Sequence, residues 1–215
     1  MNLITSRTIK GLIIGLLVFG ICLGPEAQAG KSVSNNLFVP IVTYHRVLEI
    51  PSNELDITPA RLEEHFRFFR ENGYHPITAS QLLDWQKYPD MLPDKPLVIT
   101  FDDGPKSNYT KVFPLLKKFG WAATFFVYPK VIAEQSVTQL TWEELQEMAA
   151  AGMDIQSHTL THPYLSKVSA SGSENYFIWL DRELRESKRI IETRLHRKVD
   201  LLAYPYGWYN QLVET

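Results

Sequence analysis

Short apolar runs alternate along this chain with amphipathic stretches of helical period. The apolar runs are FVPIVTYHRV (Phe38–Val47), YHPIT (Tyr74–Thr78), LVITF (Leu97–Phe101), WAATFFVYP (Trp121–Pro129), MDIQSH (Met153–His158) and VDLLAYPYG (Val199–Gly207). Each has strand length and is rich in β-branched or aromatic residues, which predicts six strands. Between the first two, Leu62, Phe66 and Phe69 recur at helical spacing. Thr58 can cap that helix, Pro59 suits its first position and Gly73 stops it. Thr78 with Gln81 and Thr141 with Glu144 form capping boxes for two further helices. Pro89, Pro93 and Pro96 mark a connection into LVITF. A helix follows Pro105 and ends at about Phe119 with Gly120 as its stop, and Pro114 kinks it or delays its start. Glu174–His196 reads as a long, charged, amphipathic helix.

Strands that alternate with helices favour a parallel sheet with helices outside it, either open or closed into a barrel. In both, function gathers at the C-terminal ends of the strands. The polar residues fall there. Tyr44 and His45 end the first strand, Asp102 and Asp103 the third. His158 ends the fifth with His162 just beyond, and Tyr204 and Tyr206 end the last.

Composition narrows the classes. With 45% hydrophobic and 21% charged residues, 215 positions supply the core of one globular domain. The formal net charge is −2 and there is no long basic run, which excludes nucleic acid as a partner. Residues 1–29 read as an export signal. Arg7 and Lys10 precede an apolar run, Gly11–Gly24, and Ala27–Ala29 offers a small-x-small cleavage pattern. The run has 14 residues and four glycines, short of the ~20 needed to span a bilayer. Membrane contact is therefore expected only through an uncleaved signal, and the mature protein is expected to be periplasmic, cell-surface or extracellular. Residues 30–36 form a polar segment expected to be flexible, and the domain occupies 37–215. The single cysteine, Cys22, lies in the apolar run, so a transition metal in the mature chain must be held by His and carboxylates.

Two motifs carry candidate chemistry. In LVITFDDGP the strand ends on two adjacent carboxylates, which suits one metal ligand and one proton acceptor. Asp-Gly and Gly-Pro are also ordinary turn punctuation. A glycosidase pair is disfavoured, because its carboxyls must flank a bond ~5–9.5 Å apart. In SHTLTHP the two histidines lie four apart, close enough to share one ion, although two capping histidines would look the same. Thr159 stands where a zincin would carry glutamate, and Pro163 favours a loop over a helix. Two His and one carboxylate with open positions form a recurring catalytic metal set. An acidic pair at a strand end also suits a phospho-acceptor domain, which the histidine pair and the export signal argue against.

TFDDGP, SHTLTHP and AYPYG, in this order, resemble the first three motifs of the polysaccharide deacetylases, carbohydrate esterase family 4. VPIVTYHRV resembles the opening strand of the exopolysaccharide branch, which includes enzymes acting on β-1,6-linked poly-N-acetylglucosamine. The resemblance covers nearly all of Phe38–Asn210. It implies an α/β fold, a distorted (β/α) barrel, and hydrolysis of N-acetyl groups on an exported polysaccharide. It further implies Asp102 as general base, and Asp103, His158 and His162 as ligands of one divalent ion. Zinc is the first expectation, with cobalt and nickel tolerated by the same ligands. Tyr206 would offer its backbone N–H to the oxyanion. Two positions depart from the pattern. Ala203 stands where an arginine usually orients the base, and no Leu-x-His stretch follows Gly207 to supply the family's acid. The expectation is then a barrel incomplete at its C-terminus, with a catalytically impaired carbohydrate-binding remnant as the alternative. His45, the remaining strand-end histidine, is in reach of the site, but a hydrogen-bonded strand-end residue is the first expectation for it.

Overall fold

The computed structural model describes residues 38–85, 88, 92–166 and 173–209. The expected export signal and the polar segment after it lie outside the described residues. Strand β3 (Pro96–Asp102) is the hub. β1 (Ile41–Tyr44) pairs with it in parallel from Ile41↔Val98 to Tyr44↔Phe101. Its other edge is shared by two strands, also parallel. β2 (His75–Ile77) lies beside Pro96–Val98, and β4 (Thr124–Val127) lies beside Thr100–Asp102. β5 (Asp154–Ser157) continues the sheet from β4. The order is β1-β3-β4-β5 with β2 branching from β3, and the sheet is open among the described residues.

The helices form where periodicity and caps coincide. In α1 (Pro59–Glu71), Thr58 Oγ1 accepts from Arg61 N at 3.2 Å, and Leu62, Phe66 and Phe69 face inward. α2 (Ala79–Trp85) follows Thr78, whose N–H donates to Gln81 Oε1 at 2.8 Å. The segment after Pro105 begins as a five-residue π-turn, Asn108–Val112, and becomes regular only in α3 (Phe113–Phe119), with Pro114 in its first turn. Pro114 thus delays the helix, since it lacks the N–H an interior position would need. α4 (Pro129–Ala133) is a short helix that the sequence reading does not foresee. α5 (Trp142–Ala150) and α6 (Ser173–Leu195) complete the layer.

The two faces of the sheet differ in chemistry. Alternation sends Val42, Tyr44, Leu97, Ile99, Phe101, Phe125, Val127 and Ile155 to the helix side. There they join Leu62, Phe66, Leu116, Leu145 and Met148 in one buried cluster. Tyr44, Phe101 and Phe125 pile across three strands, with centroids 5.4 and 5.2 Å apart. The opposite face is polar. Thr100 Oγ1 donates to Thr43 Oγ1 at 2.9 Å, and Thr124 Oγ1 to Asp154 Oδ2 at 2.9 Å. Gln156 Oε1 accepts from Asp200 N and Leu201 N, at 3.0 Å each.

One expected element is corrected. Val199–Gly207 is not a strand. It touches the sheet through a single parallel bridge, Ser157↔Leu202, and then turns into a 3₁₀ helix at Pro205–Gly207. Pro205 has no N–H to donate, and Tyr206 and Gly207 take φ of 60° and 68°, which leads the chain out of the pleat.

Candidate metal and catalytic site

Asp102 is the last residue of β3 and lies on the polar face with Thr100. The chain then turns through two left-handed residues, Asp103 at φ +70° and Gly104 at φ +66°. Aspartate tolerates this conformation better than most side chains. At position 104 space is limiting as well. A Cβ there would lie 3.3 Å from Val127 Cγ1 and 3.4 Å from Ile132 Cδ1. The glycine lets the turn sit against β4 and α4, and the turn swings the second carboxylate to the rim.

His158 follows β5 directly and is buried. SHTLTHP is a loop, as Pro163 predicts, with Thr159 and His162 at φ 68° and 60°. Asp103 Oδ1 lies 3.1 Å from His162 Nε2 and 3.5 Å from His158 Nε2, and the two Nε2 atoms are 3.1 Å apart. His158 Nδ1 donates to the Ala203 carbonyl at 2.9 Å, which leaves the Nε2 lone pair of the neutral ring pointing into this triangle. Asp103 Oδ1 is buried and accepts no well-formed hydrogen bond among the described residues. Asp103 Oδ1 and the two Nε2 atoms therefore face one another. Tetrahedral bonds of about 2.0–2.1 Å to zinc place neighbouring ligand atoms roughly 3.3 Å apart, close to the triangle's edges. These are the residues that could hold a divalent cation.

The two carboxyls are driven in opposite directions. Burial pushes Asp102 up, the neighbouring Asp103 adds to the rise, and the charges of His158 and His45 offset only part of it. Burial alone would raise Asp103 too. The contacts from His158 and His162 outweigh it and hold that carboxyl well below the usual range. Burial disfavours a charge on His158, but Asp103 and Asp102 together pull it above its ordinary value. The two adjacent carboxyls thus differ sharply in how readily each holds a proton.

The structure brings Tyr206 to the same place. Its half-exposed ring meets His162 at 4.7 Å and stacks on Tyr164 at 3.9 Å and 9°. Tyr128, just after β4, packs on His162 from another side at 5.1 Å. Tyr204 instead stacks on Tyr209 and packs against Leu165, Tyr176 and Leu180. His45 falls on the side of the two aspartates. The β1/β3 register pairs Tyr44 with Phe101, so the next residue falls beside Asp102 on the same face. Both Asp102 and Asp103 feel its charge. Tyr128 and Tyr164 were not singled out from the sequence. Tyr128 obeys the strand-end rule that found the others, whereas the Ala203 carbonyl carries no residue-type signal at all.

The fold and site together define a parallel α/β domain whose strand ends gather two carboxylates and two imidazoles. The polysaccharide deacetylase family model matches residues 90–215, and the chain belongs to that family. A Bacillus subtilis relative, YxkH, is 33% identical over 176 residues, covering 80% of this chain and 58% of that one. The poly-beta-1,6-N-acetyl-D-glucosamine N-deacetylase of Escherichia coli K12 is 30% identical over 212 residues, covering 82% of this chain and 31% of that one. The chain thus spans less than two thirds of the length of either relative. Among solved structures, the Streptococcus pyogenes deacetylase PplD in complex with acetate superposes with a TM-score of 0.74 at 25% identity. IcaB from Ammonifex degensii gives 0.71 at 26%. Each alignment covers 82% of this chain and 77% of the other.

Proposed function

We propose that this chain removes N-acetyl groups from an exported N-acetylglucosamine polysaccharide, β-1,6-linked in the first instance. Asp103, His158 and His162 hold one divalent ion, zinc before cobalt or nickel. The observation that carries this reading is the triangle of one carboxylate oxygen and two imidazole nitrogens with edges of 3.1, 3.1 and 3.5 Å. Ion-free, those atoms are mutually repulsive unless a proton intervenes, and they match the donor set of a catalytic zinc site. Bound there, zinc polarises an amide carbonyl and lowers the pKa of water.

This chain's residues take the remaining roles. Asp102, raised by burial toward the working pH, takes the proton of the attacking water. Asp103 stays ionised. The Tyr206 backbone N–H is the fixed dipole for the developing oxyanion. His45, one strand away on the same face, delivers a proton to the departing amine. The rings of Tyr128 and Tyr206 pack on His162, Tyr164 stacks on Tyr206, and a sugar would pack against these rings. The β-1,6 linkage draws support from the Escherichia coli relative, and export from the character of residues 1–29.

The test is acetate release from a β-1,6-linked N-acetylglucosamine oligomer. The zinc-loaded chain is expected to release acetate and the chelated chain to stop. Asp102→Asn and His45→Ala should each lower kcat by roughly 10²–10⁴-fold while zinc binding persists. No acetate from the zinc-loaded chain rejects the reading.

A further inference from the structure

The loop that carries His162 is held against its own backbone preferences. Thr159 and His162 both sit at positive φ, and for a β-branched threonine this is a genuine outlier. Such a conformation persists only where the surroundings over-determine it. Here they do so from α6. Glu183 Oε2 accepts from Leu160 N at 3.1 Å and Thr161 N at 2.9 Å, and Glu183 Oε1 accepts from Thr161 Oγ1 at 2.8 Å. Ser187 Oγ donates to the Thr159 carbonyl at 2.9 Å and meets Ser157 Oγ at 2.7 Å.

Position makes these contacts informative. The buried stripe of α6 runs Tyr176, Leu180, Glu183, Ser187, Ile191, Leu195 at three- and four-residue steps. Glu183 and Ser187 occupy places that an amphipathic pattern gives to apolar side chains. Glu183 is only 4% exposed, and no Lys or Arg pairs with it among the described residues. A carboxylate costs heavily to bury without donors. Its donors are the loop's own amides, so its place in the stripe is explained by the loop and by nothing in the core.

We propose that Glu183 is the positioning residue of the metal centre: its buried carboxylate clamps the Thr159–His162 loop and so aims His162 Nε2 at Asp103. The inference rests on the metal reading of the site. Partners that orient metal ligands typically contribute 10–100-fold in affinity.

Zinc affinity of the full chain, by competition with a chromophoric chelator, and amide hydrogen exchange of Leu160 and Thr161 in the metal-free protein test it together. Glu183→Ala is expected to weaken zinc binding about 10–100-fold and to speed exchange at both amides. Glu183→Gln keeps one acceptor and should fall between, and it carries the comparison if the alanine variant does not fold. Ile191→Val, a destabilising change in the same stripe, should leave zinc affinity within about twofold, which separates positioning from general stability. Zinc affinity of Glu183→Gln and Glu183→Ala within twofold of the parent overturns the proposal. If the parent itself binds no zinc, the metal reading falls, and exchange decides the clamp: unchanged rates at Leu160 and Thr161 in Glu183→Gln overturn it.

Discussion

Asp56 shows how one carboxylate organises the chain next to the site. It accepts from Arg46 Nε at 2.8 Å and Nη2 at 3.1 Å, from Ser52 N at 2.8 Å and Oγ at 2.7 Å, and from Asn53 N at 3.2 Å. These bonds fold the loop that leaves β1 immediately after His45. Burial would raise its pKa, but the Ser52 and Arg46 bonds outweigh that and hold it below the ordinary carboxylate value. A folded-state pKa below the unfolded ~3.9 stabilises the protein above that pH, and the gain is lost as pH falls through the folded value. Asp56→Asn is therefore expected to cost about 1–2 kcal/mol at pH 7, a gap that closes in acid below roughly pH 4. Urea unfolding at pH 7 and pH 3 checks this, and an equal gap at both would remove the charge from the account. At this scale the sequence was legible wherever chemistry resides in side-chain type. Asp103, His158 and His162 come together at the strand ends, and Tyr206 reaches them from a 3₁₀ turn rather than from the strand expected to carry it. The partner of His158 was not legible, because it is the backbone of Ala203. The strand-end position of His45 was legible, but its placement beside Asp102 was not, since that depends on how β1 registers against β3.

Elements with both a periodic face and a cap were readable, and α5 is the clearest case. Thr141 Oγ1 accepts from Glu144 N at 3.3 Å, and Glu144 Oε2 accepts from Thr141 N at 2.9 Å. The same glutamate meets Lys106 Nζ at 2.6 Å, tying the helix start to the segment that follows the two aspartates. Thr141→Ala should cost about 0.5–2 kcal/mol, read as a lower urea midpoint with an unchanged slope, since the exposed area on unfolding stays the same. The elements that escaped sequence reading are short. α4 has five residues and the π-turn before α3 another five, too few for a period to declare itself. Val199–Gly207 failed for a different reason. Its residue types suit a strand, but its Asp200 and Leu201 amides bond the Gln156 side chain instead of a neighbouring backbone, and the chain turns away at Pro205 and Tyr206.

Across the molecule, the sheet separates stability from chemistry. Its helix side is an apolar core, and its other side carries threonines, Gln156, Asp154 and the candidate base. The parallel α/β class was legible from alternation. The sharing of one β3 edge by β2 and β4 was not, because local pattern says nothing about strand order. An ion bound only by the folded state stabilises the whole domain. Zinc at 100 times its dissociation constant should add about 2.7 kcal/mol, or roughly 5–10 °C in Tm for a domain of this size. Calorimetry with and without zinc reads it, and His158→Ala should abolish the shift. The route of the chain adds a matter of timing. Asp103, His158 and His162 are all synthesised before residue 163, whereas Glu183, Ser187 and the Ala203 carbonyl that hold them come later. A nascent chain that has just emerged through His162 owns all three donors but none of the bracing that α6 and Ala203 supply. The five strands are complete by then, so an ion arriving at that stage would meet a finished sheet edge whose ligand loop still waits for α6.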